Sequence, residues 1–402
     1  MSEKNKSIPV RTDAILKDNV SYNRYYMKVS SRFAVAKWIT LLLFTVYLVC
    51  MLVAARNSIT YENFMYLLRD FNLSSSASGA FSSVVYEEQQ NMTFSVFKNA
   101  LAVSGSSGVR LFDGAGNSVF RDNVSYKTPV LLTGDKYMLL YDEGGRDFSI
   151  LTTLARVSGG TTEGDILCCA MSDKGVYAVA FRNPEAKFAI DVYNSSFRNI
   201  ERIYRDSYVT GMTLDASGDH IAIMTVKYDD WNVASEVSIL QIGESTTRSI
   251  SLGDRLPLYC RYMNGGNLAV VCDTSVVILS ERGDVVADIS LETMTLSNFH
   301  VSERLIALVC SENVLGNENR ILVYTESGST VIDCASEGKI SAITASNLYD
   351  SVYLSRENTI EYLSSNERAE IEYTGSLLQV CEIEGRPVVC FPGSAFSVNF
   401  DK

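Results

Sequence analysis

The 402-residue sequence has few of the residues from which active sites are most often built. It contains only two histidines, His220 and His300, each in a strand-like segment where a lone histidine is more often structural than catalytic. It has no G-x-S-x-G, H-E-x-x-H, Walker or G-x-G-x-x-G context. The Asp-box of sialidases and the repeated tryptophan motifs of quinoprotein propellers are also missing. We therefore predict a protein that is not an enzyme and has no metal or cofactor site.

Long apolar runs are equally scarce, and only residues 38–55 (WITLLLFTVYLVCMLVAA) form an uncharged run long enough to cross a bilayer. At about 1.5 Å per helical residue this run spans about 27 Å, close to the ~30 Å hydrocarbon core. The run has no amphipathic stripe, which argues against a buried core helix. A cleaved signal peptide is the alternative, but both the preceding 37 residues and the run itself are long for one. The run predicts one transmembrane helix.

Charge is distributed unevenly along the chain. Residues 1–37 hold eight Lys/Arg against three Asp/Glu, a net charge of +5, so the whole-chain charge of −12 leaves −17 for the remainder. Because basic flanks stay in the cytoplasm, residues 1–37 are predicted to be a cytoplasmic tail and the body to lie outside the cell membrane. The charge of −17 disfavours nucleic acid, anionic lipid and anionic wall polymers as partners.

Residues 56–80 connect the predicted span to the body. The segment ITYENFMYLLRDFNL places Phe64, Leu67, Leu68 and Phe71 on one helical face, which predicts a short juxtamembrane helix. The SSSASG stretch that follows is typical of a flexible linker. Residues 81–402 are then predicted to form the extracytoplasmic domain.

The nine cysteines lack C-x-x-C and zinc spacing. Three of them end apolar strand-like runs, LAVVC, IALVC and PVVC, which is typical of small buried hydrophobic residues. Only Cys381 and Cys390 form a candidate disulfide, because a hairpin turning at Gly385-Arg386 would place them opposite each other. Directly opposed strand positions do not all suit disulfide geometry, so the unbonded alternative stays open.

From residue 81 onward, a turn followed by a β-branched or apolar run recurs at intervals of roughly 32–48 residues, which is typical of a propeller. The clearest unit is residues 209–256. It contains the strands VTGMTLD, HIAIMTVKY, SEVSILQI and TTRSISL, with the turn DASGD between the first two. Related turn-plus-strand segments recur along the chain: FKNALAVSG, AMSDKGVYAVAF, YMNGGNLAVVC, VSERLIALVC and SNLYDSVYLS. The small second strands predict neighbouring blades pressing on both faces.

This pattern resembles the turn-plus-strand signature of WD40-like, TolB-like and YVTN-type propellers, over most of residues 81–402. The chain as a whole is similar to a family of single-pass membrane proteins of low-GC Gram-positive bacteria with a WD40-like outer domain and uncharacterised function. The resemblance implies an all-β propeller after one membrane helix. It supplies no active-site residues.

The repeat predicts seven complete blades, at residues 94–124, 125–162, 163–208, 209–256, 257–294, 295–339 and 340–376. Residues 377–402 supply only three further strands, LLQVCEIE, PVVCF and SAFSVNF. The missing fourth strand is predicted at residues 82–87 (SSVVYE), because pairing the two chain ends closes the ring and removes exposed edges. We therefore favour eight blades, with seven as the alternative.

Three long connections between second and third strands are predicted on one face, at residues 182–187, 228–236 and 312–319. The middle one holds Tyr228, Asp229, Asp230 and Trp231, the last being the only tryptophan of the body. An aromatic residue beside acids on a propeller rim is a candidate partner anchor, although Trp231 folded over its own blade is the alternative.

Composition and repeat together favour a membrane-anchored scaffold that binds a protein or a cell-envelope component. The alternatives are a lactonase- or hydrolase-type propeller with a channel site, and a receptor coupled to the cytoplasmic tail. The enzyme alternative requires carboxylates or histidines with shifted pKa values converging on the channel.

Overall fold

The computed structural model describes residues 32–49, 81, 83–229, 232–244, 246–311 and 318–400, although not the side chains of Asp229 and Asn232. The chain divides into two compact units, Met1–Leu68 and Arg69–Lys402. Most of the predicted cytoplasmic tail, Cys50 and the predicted juxtamembrane helix and linker lie outside the described residues.

The first unit contains one described helix, α1 (Arg32–Val49), which is long and apolar enough to cross a membrane. It begins six residues before the predicted span, and residues 50–55 of that span are not described. The apolar side chains of α1 are exposed all round. The hydroxyls of Thr40 and Thr45 donate to the carbonyls of Ala36 and Leu41, which leaves neither hydroxyl unpaired.

The described part of the second unit is all-β and consists of eight four-stranded antiparallel sheets, which are the blades of a propeller. Strand β1 (Val84–Val85) precedes the first blade. Blade 1 contains β2 (Thr93–Phe97), β3 (Ala100–Gly105), β4 (Gly108–Phe112) and β5 (Ser118–Asp122), and blade 2 contains β6 (Pro129–Thr133), β7 (Met138–Asp142), β8 (Asp147–Leu151) and β9 (Arg156–Thr161). Blade 3 contains β10 (Ile166–Met171), β11 (Tyr177–Arg182), β12 (Phe188–Tyr193) and β13 (Asn199–Arg205). Blade 4 contains β14 (Tyr208–Leu214), β15 (His220–Asp229), β16 (Asn232–Gln241) and β17 (Thr247–Gly253).

Blades 5 to 7 continue the same order, and blade 8 is built from both chain ends. Blade 5 contains β18 (Pro257–Tyr262), β19 (Leu268–Cys272), β20 (Ser275–Leu279) and β21 (Val285–Ser290), and blade 6 contains β22 (Thr295–Val301), β23 (Leu305–Ser311), β24 (Glu318–Thr325) and β25 (Thr330–Glu337). Blade 7 contains β26 (Ala342–Ala345), β27 (Ser351–Ser355), β28 (Thr359–Ser364) and β29 (Arg368–Glu372). Blade 8 contains β30 (Gln379–Ile383), β31 (Arg386–Cys390) and β32 (Ser394–Ser397) together with β1.

First strands of successive blades adjoin one another around a central channel, and β2 of blade 1 adjoins β30 of blade 8. Each blade is therefore ordered from an inner first strand to an outer fourth strand. Within each blade, the turn from the first to the second strand and the turn from the third to the fourth strand lie at the same end of the ring. We term this end the turn face. The second-to-third connections and the links between blades lie on the other end, termed the loop face.

The core lies between blades rather than within them. Eight clusters of buried residues each join two neighbouring blades, and one of them joins blade 8 to blade 1. Second strands such as β19 (LAVVC) and β27 (SVYLS) are buried along their whole length, as their small apolar residues predicted. A single blade therefore lacks a core, and the ring folds as a unit.

Both chain ends close the ring through β1 and β32, which pair antiparallel with Val84 opposite Ala395. Tyr86 continues the closure, since its hydroxyl lies 2.7 Å from the carbonyl of Phe391 and 2.8 Å from that of Ser394. Burial raises the pKa of this hydroxyl well above its usual value, so it remains a protonated donor. The eight-blade prediction is confirmed, including the N-terminal strand in the last blade.

The cysteine prediction needs correction. All eight described cysteines are free, and Cys381 lies opposite Val388 rather than Cys390. The hairpin turns at Glu384-Gly385, one residue earlier than predicted, because both residues have positive φ (49° and 75°), as a type I′ turn requires. Burial raises the pKa of the Cys390 thiol, which keeps it protonated and unreactive.

Candidate functional site

The longest strands of the propeller form a hairpin on the loop face of blade 4. Strands β15 and β16 have ten residues each and pair without a break from His220–Gln241 to Asp229–Asn232. The loop predicted at residues 228–236 is therefore mostly strand, because the alternation of NVASEVSIL extends the ladder outward. Of the four predicted anchor residues, Tyr228 is 66% exposed, Asp229 ends β15, and Asp230 and Trp231 lie outside the described residues.

Tyr228 belongs to a group of aromatic rings that crosses from blade 4 to blade 3. Its ring meets Tyr208 edge-on, with centroids 6.2 Å apart, and Tyr208 lies 5.8 Å from Phe188 of blade 3. Tyr208 is 50% exposed, whereas Phe188 is buried beneath it. We term these three rings the aromatic patch. Its two tyrosines are exposed to solvent and pack on the buried ring of Phe188.

A cavity of about 600 Å³ adjoins the aromatic patch at the boundary of blades 3 and 4. Phe188, Tyr208 and Val209 supply its apolar wall, and Arg182 and Lys187 line the basic side. Neither the repeat nor the spacing of the sequence signals this cavity, because its two walls come from different blades.

The connection between β11 and β12 holds the basic side of this cavity in place. The Asn183 side-chain oxygen accepts hydrogen bonds from the backbone N–H groups of Glu185 (2.9 Å) and Ala186 (3.2 Å). The Asn183 backbone N–H donates to the carbonyl of Lys187 at 2.8 Å. Lys187 itself has a φ of 42°, an uncommon conformation for a non-glycine residue that this closed loop maintains.

Charge at the cavity is unevenly compensated. Arg146 pairs with Asp165 at 3.3 Å, so that part of the rim is neutral. Arg182 is exposed and forms no ion pair with any residue that the structure describes. The Lys187 ammonium lies 5.3 Å from the centre of the Tyr208 ring, a cation–π contact that leaves its charge uncompensated. Glu163, which also lines the cavity, pairs with Arg202 at 2.9 Å. The cavity therefore keeps the positive charges of Arg182 and Lys187 within an acidic domain.

The turn-face end of the channel forms a second cavity, of about 550 Å³, lined by the inner strands of several blades. Asp173 and Glu303 approach each other there from different blades, and Arg261 lies 3.7 Å from Glu303. Burial raises the pKa of Asp173, and the negative charges of Asp135 and Glu303 raise it further. These acids were not among the predicted site residues, although Asp135, Asp173 and Glu303 each follow a first strand and share that position in their blades.

The two histidines lie near this same end. His300 accepts a hydrogen bond on Nδ1 from the backbone N–H of Ala345 at 3.2 Å, and burial lowers its pKa to about 4. This is the structural role predicted for a lone histidine. His220, at the start of β15, instead lies between the carboxylates of Asp215 and Glu281.

Comparison with known proteins agrees with the fold. Residues 79–391 match the model of a family described as a family of unknown function, DUF5711. Comparison with curated proteins finds no match.

Among solved structures, the chain is similar to a eukaryotic initiation factor, with 10% identity over 77% of this chain and 82% of that chain and a TM-score of 0.53. It is similar to dihydro-heme d1 dehydrogenase NirN in complex with DHE, with 12% identity over 78% and 74% and a TM-score of 0.53. The Pan2 WD40 domain of Neurospora crassa matches with 8% identity over 81% and 97% and a TM-score of 0.49. At these identities the likeness shows the fold alone.

Proposed function

Because the chain belongs to the DUF5711 family of unknown function, its role has to come from its surfaces, and we propose that it is a membrane-anchored, non-catalytic binding protein. In this proposal, α1 anchors the chain in the cell membrane, residues 1–37 stay in the cytoplasm, and the propeller faces outward. The aromatic patch and its cavity hold an extended segment of a partner protein.

Anchoring is supported by the composition of α1 and its surroundings. Its exposed apolar side chains and internally bonded threonine hydroxyls suit a lipid environment, in which unpaired polar groups are costly. The net charge of +5 before the apolar run favours a cytoplasmic N-terminus. Protease added to intact cells should then degrade the propeller, whereas full protection would contradict the orientation.

The observation that carries the binding role is the exposed Tyr208–Tyr228 pair beside an uncharged wall and an uncompensated basic rim. Tyrosines that pack on a buried ring supply a large and rigid contact area, and binding hot spots are enriched in such residues. Other large apolar side chains, such as Leu348 and Tyr349, are also exposed on the described propeller, but the Tyr208–Tyr228 pair is distinguished by the cavity that adjoins it.

Charge complementarity defines the occupant. Arg182 and Lys187 favour a carboxylate, while the wall formed by Phe188 and Tyr208 favours an apolar side chain. We therefore propose a peptide segment in which an apolar residue neighbours an Asp or Glu. Anionic wall polymers fit less well, because the charge of −17 repels them at long range.

A peptide display library, selected on the full chain in nanodiscs, tests this assignment. Selected peptides should combine an apolar residue with a neighbouring acid, and their binding should weaken at least tenfold in a Tyr208→Ala/Tyr228→Ala variant. Tyr349→Ala is the matched control, since Tyr349 is a similarly exposed tyrosine (54%) on the turn face.

Two outcomes would contradict the proposal. One is a set of selected peptides that bind the double variant and the unsubstituted chain equally. The other is retention of purified wall polysaccharide by the aromatic patch with no selected peptide, which would make the ligand an envelope component. Coupling of this binding to the cytoplasmic tail, the receptor alternative, stays a prediction.

Asp173 favours a second candidate, a hydrolase with its site in the channel. A buried carboxyl with a raised pKa beside Glu303 and Arg261 has the character of a general acid. A panel of lactone and ester substrates tests this role. Turnover that is lost in Asp173→Asn would support catalysis, and its absence from the unsubstituted chain would exclude these substrates.

A further inference from the structure

Two buried polar atoms, one from blade 4 and one from blade 5, lack the hydrogen-bond partners that burial normally demands. They are Nδ1 of His220 and the hydroxyl oxygen of Tyr262, and neither has a hydrogen-bond partner among the described residues. Tyr262 is only 8% exposed. Leaving such a group unpaired is costly, so each of these two atoms needs an explanation.

Two carboxylates approach the same point. Asp215 Oδ2 lies 3.6 Å and Glu281 Oε1 lies 3.7 Å from His220 Nδ1. One ligand atom from each of Asp215, His220 and Glu281 lies within 4.8 Å of the others. Tyr262 lines the same cavity as Asp215 and Glu281.

The distances are too long for hydrogen bonds and suit a shared cation. A protonated imidazole would be expected to approach one carboxylate to about 2.8 Å, yet His220 stands almost equally far from both. Two ligand atoms that each lie about 2.1 Å from one metal ion, at a tetrahedral angle, are about 3.4 Å apart. This separation is close to the distances from His220 Nδ1 to the two carboxylates.

The local fold orients these groups. Asp215 Oδ1 accepts the backbone N–H groups of Asp219 and His220, both at 2.9 Å, which directs Oδ2 outward. Gly218 closes this turn with a φ of 74°, and a Cβ there would lie 2.7 Å from Val176 of blade 3. The Ser217 hydroxyl donates to Asp215 Oδ2 at 2.5 Å, a contact of the kind that fixes metal-ligating carboxylates.

From this geometry we propose that Asp215, His220 and Glu281 bind one divalent transition-metal ion, with Tyr262 as the fourth donor. One imidazole with two carboxylates favours Zn²⁺, whereas Ca²⁺ and Mg²⁺ prefer oxygen ligands alone. The ion joins blade 4, which supplies Asp215 and His220, to blade 5, which supplies Glu281 and Tyr262. Asp215, Tyr262 and Glu281 border the channel cavity, through which the ion enters.

Zinc binding by the full chain in detergent, purified without a polyhistidine tag, tests the proposal. Isothermal titration should show one Zn²⁺ per chain, with the dissociation constant raised at least tenfold in His220→Ala and in Glu281→Gln. Tyr262→Phe should weaken binding less. His300→Gln is the matched control, since His300 is the other histidine and its Nδ1 already accepts a backbone hydrogen bond.

Cobalt substitution provides a readout that does not depend on the stability of any variant. Co²⁺ bound to the unsubstituted chain should show the visible absorption of a tetrahedral site, and one equivalent of Zn²⁺ should displace it. Equal Zn²⁺ affinity in His220→Ala, Glu281→Gln and the unsubstituted chain would overturn the assignment. Binding of Ca²⁺ with no binding of Zn²⁺ or Co²⁺ would overturn the metal class.

Discussion

The two ends of strand β15 carry opposite chemistry. At its loop-face end, Tyr228 joins Tyr208 above a cavity with a basic side. At its turn-face end, His220 lies between two carboxylates. His220 and Tyr228 are eight residues apart along the strand, or about 26 Å, and residues 221–226 between them are buried. A propeller blade thus confines its chemistry to its two ends, where binding surfaces can differ without changing the core.

The strongest perturbation should affect both ends together. Tyr86→Ala removes a buried ring and a hydroxyl proton that is shared between two carbonyls at the closure of blade 8, and we expect it to cost about 3–5 kcal/mol of unfolding free energy. Urea denaturation measures this loss. Tyr86→Phe, which keeps the ring, should cost about 1 kcal/mol. A full loss in Tyr86→Phe would mean that the hydroxyl, rather than packing, closes the ring.

Acid should destabilise the propeller through His300. Burial lowers the pKa of His300 to about 4, below its ordinary value of 6.5. Between these pH values His300 is protonated in the unfolded chain and neutral in the folded chain, so acid favours unfolding. This contribution is present above pH 6.5 and is lost as the pH falls towards 4, by up to about 3 kcal/mol. Denaturant titrations at several pH values should show a shallower decline in His300→Gln. An unchanged decline would place the acid sensitivity elsewhere.

Removing the exposed rings should affect the loop face alone. We expect Tyr208→Ala/Tyr228→Ala to cost about 2 kcal/mol of binding free energy for a selected peptide, or about 30-fold in Kd. Zinc affinity should stay unchanged, because the metal ligands lie at the other end of blade 4. Calorimetry with each ligand measures both quantities, and a parallel loss of zinc affinity would show that the two ends are coupled.

Reversing one charge should produce the smallest effect. Arg182→Glu should weaken an acidic peptide by about 1 kcal/mol, mainly through slower association, and the difference should shrink in high salt. Surface plasmon resonance at two salt concentrations measures this. Arg248→Glu, at an exposed arginine that pairs with Asp284 and does not line this cavity, is the control. A loss that is independent of salt would indicate a packing role for Arg182.

Periodicity was sufficient to predict the ring. The turn DASGD and the strands on either side of it were correctly placed, because a turn followed by a fully buried small strand has a strong local signature. The closure by β1 was predictable since three strands at the C-terminus need a fourth. The predicted pairing of Cys381 with Cys390 was wrong by two residues, because the turn lies one residue earlier and depends on positive φ at Glu384, a residue type that does not favour that conformation.

The candidate sites were harder to predict from the sequence than the fold, because each lies between blades. Tyr228 was singled out from the sequence, but its contact with Tyr208 and the wall formed by Phe188 depend on how blades 3 and 4 pack. His220 and Glu281 are 61 positions apart in different repeats, so no local spacing links them. Blade number follows from the period, whereas contacts across a blade boundary follow from side-chain packing that the period does not specify.

Hydrogen exchange along β15 tests most directly whether its two ends are separate binding sites. Full-length protein in nanodiscs would be measured alone, with a selected acidic peptide, and with Zn²⁺. We predict that the peptide slows exchange near Tyr228 only, and that Zn²⁺ slows it near His220 and in the turn that contains Asp215 only. Protection of both ends by either ligand, or of neither end by both, would contradict the account.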